Sequence, residues 1–232
     1  MNLEANLEQV RAEYLRRTTS GDGTLLRSVE QYATSRTGKM LRPRLLLSAA
    51  ATLGDEVLNS RRTLLLAVAV EMLHNASLLH DDVIDNDQQR RGQPSVNARW
   101  GNATAVLVGD YLLAQIMALL DEVDDRDATR RINQTVIAMT EAELLAQETL
   151  KQPCNQAIKQ YLAIIDGKTA RLFATACALG NPEYEDFGLH YGRLFQLRDD
   201  IADNEATPFT ADLIRQEEQA LAAIKPALSI QI

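Results

Sequence analysis

From Arg62 to Asp85 the chain runs without a single Gly or Pro, and its apolar residues recur at three- and four-residue spacing. That spacing gathers them on one side of a 3.6-residue helix instead of alternating them across a strand. The pattern holds along nearly the whole chain, and alternating stretches flanked by Asn-Gly or Asp-Gly turns are scarce,. An all-α fold follows. Breaks fall at Ser20 to Gly23, Arg36 to Gly38, Gly54, Gln88 to Pro94, Gly101, Asp124 to Arg126, Pro153, Gly180 to Pro182 and Pro208. They divide the chain into about ten helices. Tyr184 to Asp203 makes a second long helix, where Gly188 and Gly192 would let a neighbouring helix come close,. With no fixed-period repeat and no long linker, a single domain over residues 1–232 is expected,.

The net charge of −8 and pI near 5.0 argue against a general nucleic-acid binder, which needs surplus cations to displace counterions from phosphates,. Any anionic ligand must be met by locally concentrated basic groups or by metal ions. Two cysteines, Cys154 and Cys177, form neither a CxxC nor a Cys/His cluster, so no disulfide framework or zinc site is expected and a reducing compartment fits,. The N-terminus carries acids and lacks the pattern of a secretion signal,. The sharpest apolar run, Leu64 to Val70, is far short of the ~20 residues of a membrane span,. A soluble, cytoplasmic protein without a transmembrane segment is expected.

In "HDDVID", Asp81 and Asp85 are four positions apart on one helix face with Asp82 beside them,. Acid at a helix C-terminus opposes the negative dipole end there, so something positive should offset it. The D-D-x-x-D spacing recurs in "RDDIADN" as Asp199, Asp200 and Asp203, after an apolar stripe of Leu194, Leu197 and Ile201. One such motif alone reads equally well as solvated surface. Two, each ending an apolar helical run, read as carboxylate ligands for hard divalent cations such as Mg²⁺, which binds through a few carboxylates plus waters and substrate phosphates.

Basic residues stand near these acids. Arg90 and Arg91 follow the first motif in a loop marked by Gly92 and Pro94, and guanidinium forks suit phosphate oxygens,. Lys39 and Arg42 stand where the chain leaves a Gly-containing turn and enters a helix, a position that favours anions,. His74 lies about two turns before Asp81 on the same face,. Lys168 and Thr169 follow Gly167 inside a helical pattern; "GKT" here is no Walker loop, since "GxxxxGK" is absent,.

Taken in order, "GKMLRP", "EMLHNASLLHDDVIDNDQQRRGQPSVNARWGNATAVLVGDYLLA", "DGKTARLF" and "FGLHYGRLFQLRDDIAD" resemble the trans-type polyprenyl diphosphate synthases over about residues 20 to 203. The resemblance implies a helical bundle of the isoprenoid synthase type, with a central cavity between two aspartate-rich helices, acting as a homodimer. It implies that Asp81, Asp82, Asp85, Asp199 and Asp203 hold Mg²⁺ ions bridging to an allylic diphosphate. Arg90, Lys168, Thr169 and Gln196 match the family's allylic-substrate residues; Lys39, Arg42, His74 and Arg91 match those for isopentenyl diphosphate. Asp81, Asp85, Lys168 and Asp199 would carry the catalysis. The implied reaction is head-to-tail condensation of the two diphosphates. Small residues at Ala76 and Ser77 imply a product longer than farnesyl, with Met72, Leu73, Leu113, Ile116 and Met117 as a deeper floor.

The chain departs from the family after the second motif. No lysine follows Asp203 until Lys225, where family members carry a lysine-bearing loop, and Arg198 stands directly before Asp199, where it would pair with an aspartate or replace that lysine. A compact active enzyme, an internally deleted or incomplete chain, and a partner-dependent subunit are all compatible with this. A class I terpene cyclase uses a similar acidic motif, yet would not need Lys39, Arg42 and Arg91 for a second diphosphate.

Overall fold

The computed structural model describes residues 3–18, 25–34, 38–150, 158–203 and 207–224. The chain runs α1 (Leu3–Thr18), α2 (Leu25–Thr34), α3 (Leu41–Ala51), α4 (Asp55–Leu58) and α5 (Arg61–Ile84). A two-stranded hairpin, β1 (Gln89–Arg90) and β2 (Gln93–Pro94), leads into α6 (Val96–Trp100), α7 (Asn102–Val123) and α8 (Arg126–Leu150). Next come α9 (Ile158–Ile165), one π-helical turn (Asp166–Ala170), α10 (Arg171–Gly180), a short 3-10 turn (Pro182–Tyr184), α11 (Glu185–Ala202) and α12 (Thr210–Ala223). The all-α expectation holds. Within the chain, two compact units can be distinguished, residues 1–44 with 59–125 and residues 45–58 with 126–232.

The first unit is built on α5. Ser60 starts this helix by accepting the Thr63 N–H at 3.1 Å, a side-chain cap for an otherwise orphaned donor,. Nine consecutive residues, Leu65 to Leu73, are then buried, as expected of a helix that is apolar all round,. Helix α7 packs along α5, and α1 packs beside it. Asp124 in the left-handed region ends α7,. By length and hydropathy alone α5 and α7 are each long and apolar enough to cross a membrane, which inspection of the Leu64 to Val70 run overlooks; α5 is mostly buried inside the protein.

Between α5 and α6 the expected loop is a tight hairpin. Arg90 pairs with Gln93 across two residues, Arg91 (φ 53°) and Gly92 (φ 73°), both left-handed as a type I′ turn requires,. Gly suits that conformation and Arg does not, so Arg91 is held in a strained position. Ser95 caps α6 by accepting from the Ala98 N–H at 3.3 Å.

In the second unit α10 is buried from Leu172 to Gly180, and α11 packs on it through the two glycines. A Cβ at Gly188 would fall 2.5 Å from the Phe173 carbonyl oxygen, and one at Gly192 would fall 2.6 Å from the Ala170 Cα. The expected close approach is therefore observed, against backbone that has no room to yield. Tyr161, Ile165, Leu197 and Leu213 form a buried cluster with Phe209 and Ile214 packed against it. Ile201, expected in the apolar stripe of α11, is instead 48% exposed, while Leu194 and Leu197 are buried. Cys177 is buried and unpaired, and burial pushes its thiol far up, away from reactivity; Cys154 lies outside the described residues.

Gly188→Ala should destabilise the protein by ~1–3 kcal/mol, the usual cost of overpacking. Urea unfolding of the purified variant should show the lower midpoint with an unchanged slope.

Candidate active site

The two acidic motifs share one arrangement, which the 100° step of a helix explains. In the first, Asp82 is 3% exposed, whereas Asp81 is half-buried and Asp85, the residue that ends α5, is exposed. In the second, Asp200 is 7% exposed, whereas Asp199 and Asp203 are exposed. The outer pair of each motif faces outward together; the middle acid turns inward. Arg90 donates from Nε to Asp82 Oδ1 at 2.7 Å and also reaches Asp87. Burial raises the Asp82 carboxyl, and Arg90 opposes that rise. Asp82 as a metal ligand and Arg90 as a phosphate ligand would each require this pair to part. Asn97 completes the corner by donating to the carbonyl oxygens of Asp82 and Asp87 at 3.0 and 3.1 Å.

Burial first, then repulsion from Asp203 and Asp200, raises Asp199. That crowding of like charge suits a cation. Among the described residues no three His, Cys, Asp or Glu side chains gather around a common metal position. The outward carboxylates instead come in pairs, Asp81 with Asp85 and Asp199 with Asp203, a hard oxygen donor set that fits Mg²⁺ completed by waters and phosphate oxygens. Among the described residues Arg198 makes no pair with an aspartate, one of its two expected roles; it donates to Glu218 on α12 at 2.8 Å.

The first unit also concentrates positive charge. His74 is held well below the ordinary histidine value by burial, then by the fields of Arg42, Arg91 and Arg90. Arg42, in the first turn of α3, is itself pulled down to about 10 by burial, with Glu71 opposing and Arg91 adding. Arg91 is exposed, and its guanidinium lies against Gly38, where a Cβ would be 2.9 Å from Nη2. Lys39, next to that glycine, is exposed. Three arginines thus act on one neutral imidazole, which can offer an N–H to an anion. Ala76 is buried, and Ser77 is half-buried with its hydroxyl donating to the His74 carbonyl at 2.9 Å. Met72, Leu73 and Ile116 are buried as a floor would be, but Met117 is 70% exposed and belongs to an outer face.

In the second unit the π turn carries Lys168 and Thr169. Gly167 allows α8 to approach, since a Cβ there would meet the Ala142 methyl and the Ala138 carbonyl. Arg193 holds the start of the turn with two bonds to Asp166, at 2.5 and 2.8 Å. Lys168 Nζ pairs with Glu143 at 2.5 Å. Thr169 donates to Gln196 Oε1 at 2.7 Å, and Gln196 donates from Nε2 to Asp200 Oδ1 at 2.8 Å. Sequence reading missed Glu143, Gly38, Glu71 and Tyr161, because each acts across long sequence separation; only the "Y" seven residues before Lys168 offered a hint, by falling on the same helical face,.

In the first unit, Asn75 donates to the Tyr14 hydroxyl at 3.3 Å, and Glu30, 1% exposed, also acts on Tyr14. Burial pushes Glu30 up to about 8. A folded-state pKa above the unfolded one favours folding while the group is protonated, so this contribution is full below about 4.5 and is lost as pH rises through about 8,. Melting temperature should therefore fall from pH 5 to pH 9, and Glu30→Gln should flatten that fall; an equal fall in both proteins would show that Glu30 is not its source.

A family model described as polyprenyl synthetase matches residues 23–213. An all-trans-nonaprenyl-diphosphate synthase (geranyl-diphosphate specific) of Rhodobacter capsulatus is 38% identical over 82% of this chain and 61% of its own length. Heptaprenyl diphosphate synthase component 2 of Bacillus subtilis is 33% identical over 94% of this chain and 67% of its own length. A polyprenyl synthase structure from Caulobacter crescentus, complexed with calcium and isoprenyl diphosphate, superposes with a TM-score of 0.76 at 33% identity, covering 85% of this chain and 62% of that one. This chain spans about three-fifths of the length of the Rhodobacter relative. With its motifs, its helical fold and most of its length matched in this way, the chain belongs to the polyprenyl synthetase family.

Proposed function

We propose that the protein is a Mg²⁺-dependent prenyltransferase that condenses isopentenyl diphosphate with an allylic diphosphate, head to tail. The observation that carries this is the pocket in the first unit that Asp82, Arg90, Arg91 and Gln93 line together, with the Arg91 guanidinium against Gly38 beside Lys39, in an otherwise acidic protein. A separate cationic group of this kind is what a second diphosphate needs, and it disfavours a terpene cyclase, which handles one. In this reading Lys39, Arg42, His74 and Arg91 hold isopentenyl diphosphate, while Lys168 and Gln196 hold the allylic diphosphate and Thr169 orients the Gln196 amide. Asp81, Asp85, Asp199 and Asp203 would hold Mg²⁺, which when bound stabilises the charge of the diphosphate leaving group. The Lys168 side chain adds fixed positive charge at the allylic diphosphate and keeps it oriented. The allylic C–O bond then breaks, the isopentenyl double bond supplies the electrons of the new C–C bond, and loss of a proton restores an alkene. Asp82 serves as the anchor of Arg90, not as a ligand.

Ala76 is small and buried just before the motif, which supports a product longer than C15, as do the nonaprenyl and heptaprenyl names of the relatives. A second reading, a subunit that works only with a partner, is favoured by one observation, the name "component 2" of the Bacillus subtilis relative. Self-association is supported by α7, where Val106, Leu107 and Met117 present apolar surface outward,. A reducing, cytoplasmic setting fits the buried free thiol of Cys177,.

Purified protein with MgCl₂, isopentenyl diphosphate and allylic primers of increasing length should yield extended products above C15 by mass. Asp81→Ala should lower turnover roughly a hundredfold or more, as loss of a charge-stabilising group does. Unchanged turnover would remove Asp81 from the metal site, and products appearing only when a partner component is added would establish the second reading. Met117→Glu should convert a dimer to a monomer in sedimentation velocity; a wild-type protein that already sediments as a monomer ends the homodimer proposal.

A further inference from the structure

Asp200 uses both carboxylate oxygens inside the protein. Its Oδ1 accepts from Gln196 Nε2 at 2.8 Å, and its Oδ2 accepts from the Tyr161 hydroxyl of α9. Tyr161 is 8% exposed, Asp200 7% and Thr169 8%, so water has little access to replace these bonds. The Tyr161 ring is fixed in turn by Phe209, with centroids 5.8 Å apart, and by the apolar cluster it shares with Ile165, Leu197 and Leu213.

We propose that Tyr161 is a positioning residue which, through Asp200, sets which way round the Gln196 amide sits and so determines the donor that meets an allylic diphosphate. The proposal rests on the assignment of Gln196 to that substrate. With the Tyr161 hydroxyl donating to Asp200 Oδ2, Asp200 Oδ1 is left to accept from Gln196, whose nitrogen turns toward Asp200 and whose oxygen turns toward Thr169,. Thr169 donates its one hydroxyl proton to that oxygen, at 2.7 Å. Thr169 therefore offers lone pairs, not a proton, to a bound anion. The amide nitrogen carries two protons, one of which goes to Asp200; the second is the donor for a diphosphate oxygen. Were the amide reversed, its oxygen would face phosphate oxygens and repel them. The middle acid of the second motif is thus part of the substrate's donor set at one remove, with Tyr161 behind it.

Tyr161→Phe removes one oxygen and leaves the ring packing. In steady-state assays of the full chain, the KM for geranyl diphosphate should rise about tenfold, the effect of losing one hydrogen bond to a charged group, with the KM for isopentenyl diphosphate unchanged. Gln196→Ala should raise the same KM, and adding Tyr161→Phe to it should change nothing further, because Tyr161 acts through Gln196. A rise in both KM values, or additive effects in the double variant, overturns the proposal. If Tyr161→Phe melts below the assay temperature, Asp200→Asn replaces it in the cycle, since a carboxamide has one acceptor oxygen for two donors. Calorimetric titration with inorganic pyrophosphate in MgCl₂ should repeat the pattern in Kd. A wild-type protein that binds pyrophosphate yet extends no primer would remove the synthase reading while leaving the proposal to this cycle; one that binds no pyrophosphate overturns the proposal itself.

Discussion

Burial of α5 on all sides is the constraint from which the first unit's chemistry follows. A helix with nine consecutive buried residues has no solvated face on which to place polar groups, so Glu71 and His74 must find their partners inside. Burial raises Glu71, and Arg42, Arg91 and Arg11 oppose that rise. Charge that would be screened to little at a surface is screened less here. The guanidinium groups consequently tune a histidine and an acid before any ligand arrives.

The acidic motifs show how one helical period assigns two jobs to three identical residues. Residues i and i+4 share a face, while i+1 lies a third of a turn away. In both motifs the odd residue faces the interior and is bonded there, Asp82 by Arg90 and Asp200 by Tyr161 and Gln196. The inward acid fixes the rotation of the helix end, and that rotation aims the outward pair. The motif is thus an anchor combined with a donor pair.

Much of this was legible in the residues. The long helix expected over Arg62 to Asp85 is Arg61–Ile84, and the glycine spacing at 188 and 192 reported a close helix crossing correctly. These features are encoded by neighbours within a few residues. The π turn at Asp166–Ala170, the tight hairpin and the inward turn of Asp82 were not visible, because no local residue pattern marks them: Gly167 lies against α8, Arg91 lies against Gly38, and Arg90 returns from the following loop to bond Asp82. Met117 and Ile201 were misplaced for a related reason, since an apolar residue at the margin of a stripe falls inside or outside according to what packs there. Within the candidate site the residue types were readable, and their pairings were not.

Arg91 sits at a turn position that asparagine or glycine would occupy more comfortably,. Selection for stability alone would replace it, and the replacement would discard a guanidinium whose field reaches Arg42, Glu71 and His74. The hairpin is therefore a place where thermostabilising evolution and ligand affinity pull in opposite directions. Variants of this chain selected for heat tolerance should accumulate changes elsewhere and leave that unfavourable backbone conformation in place.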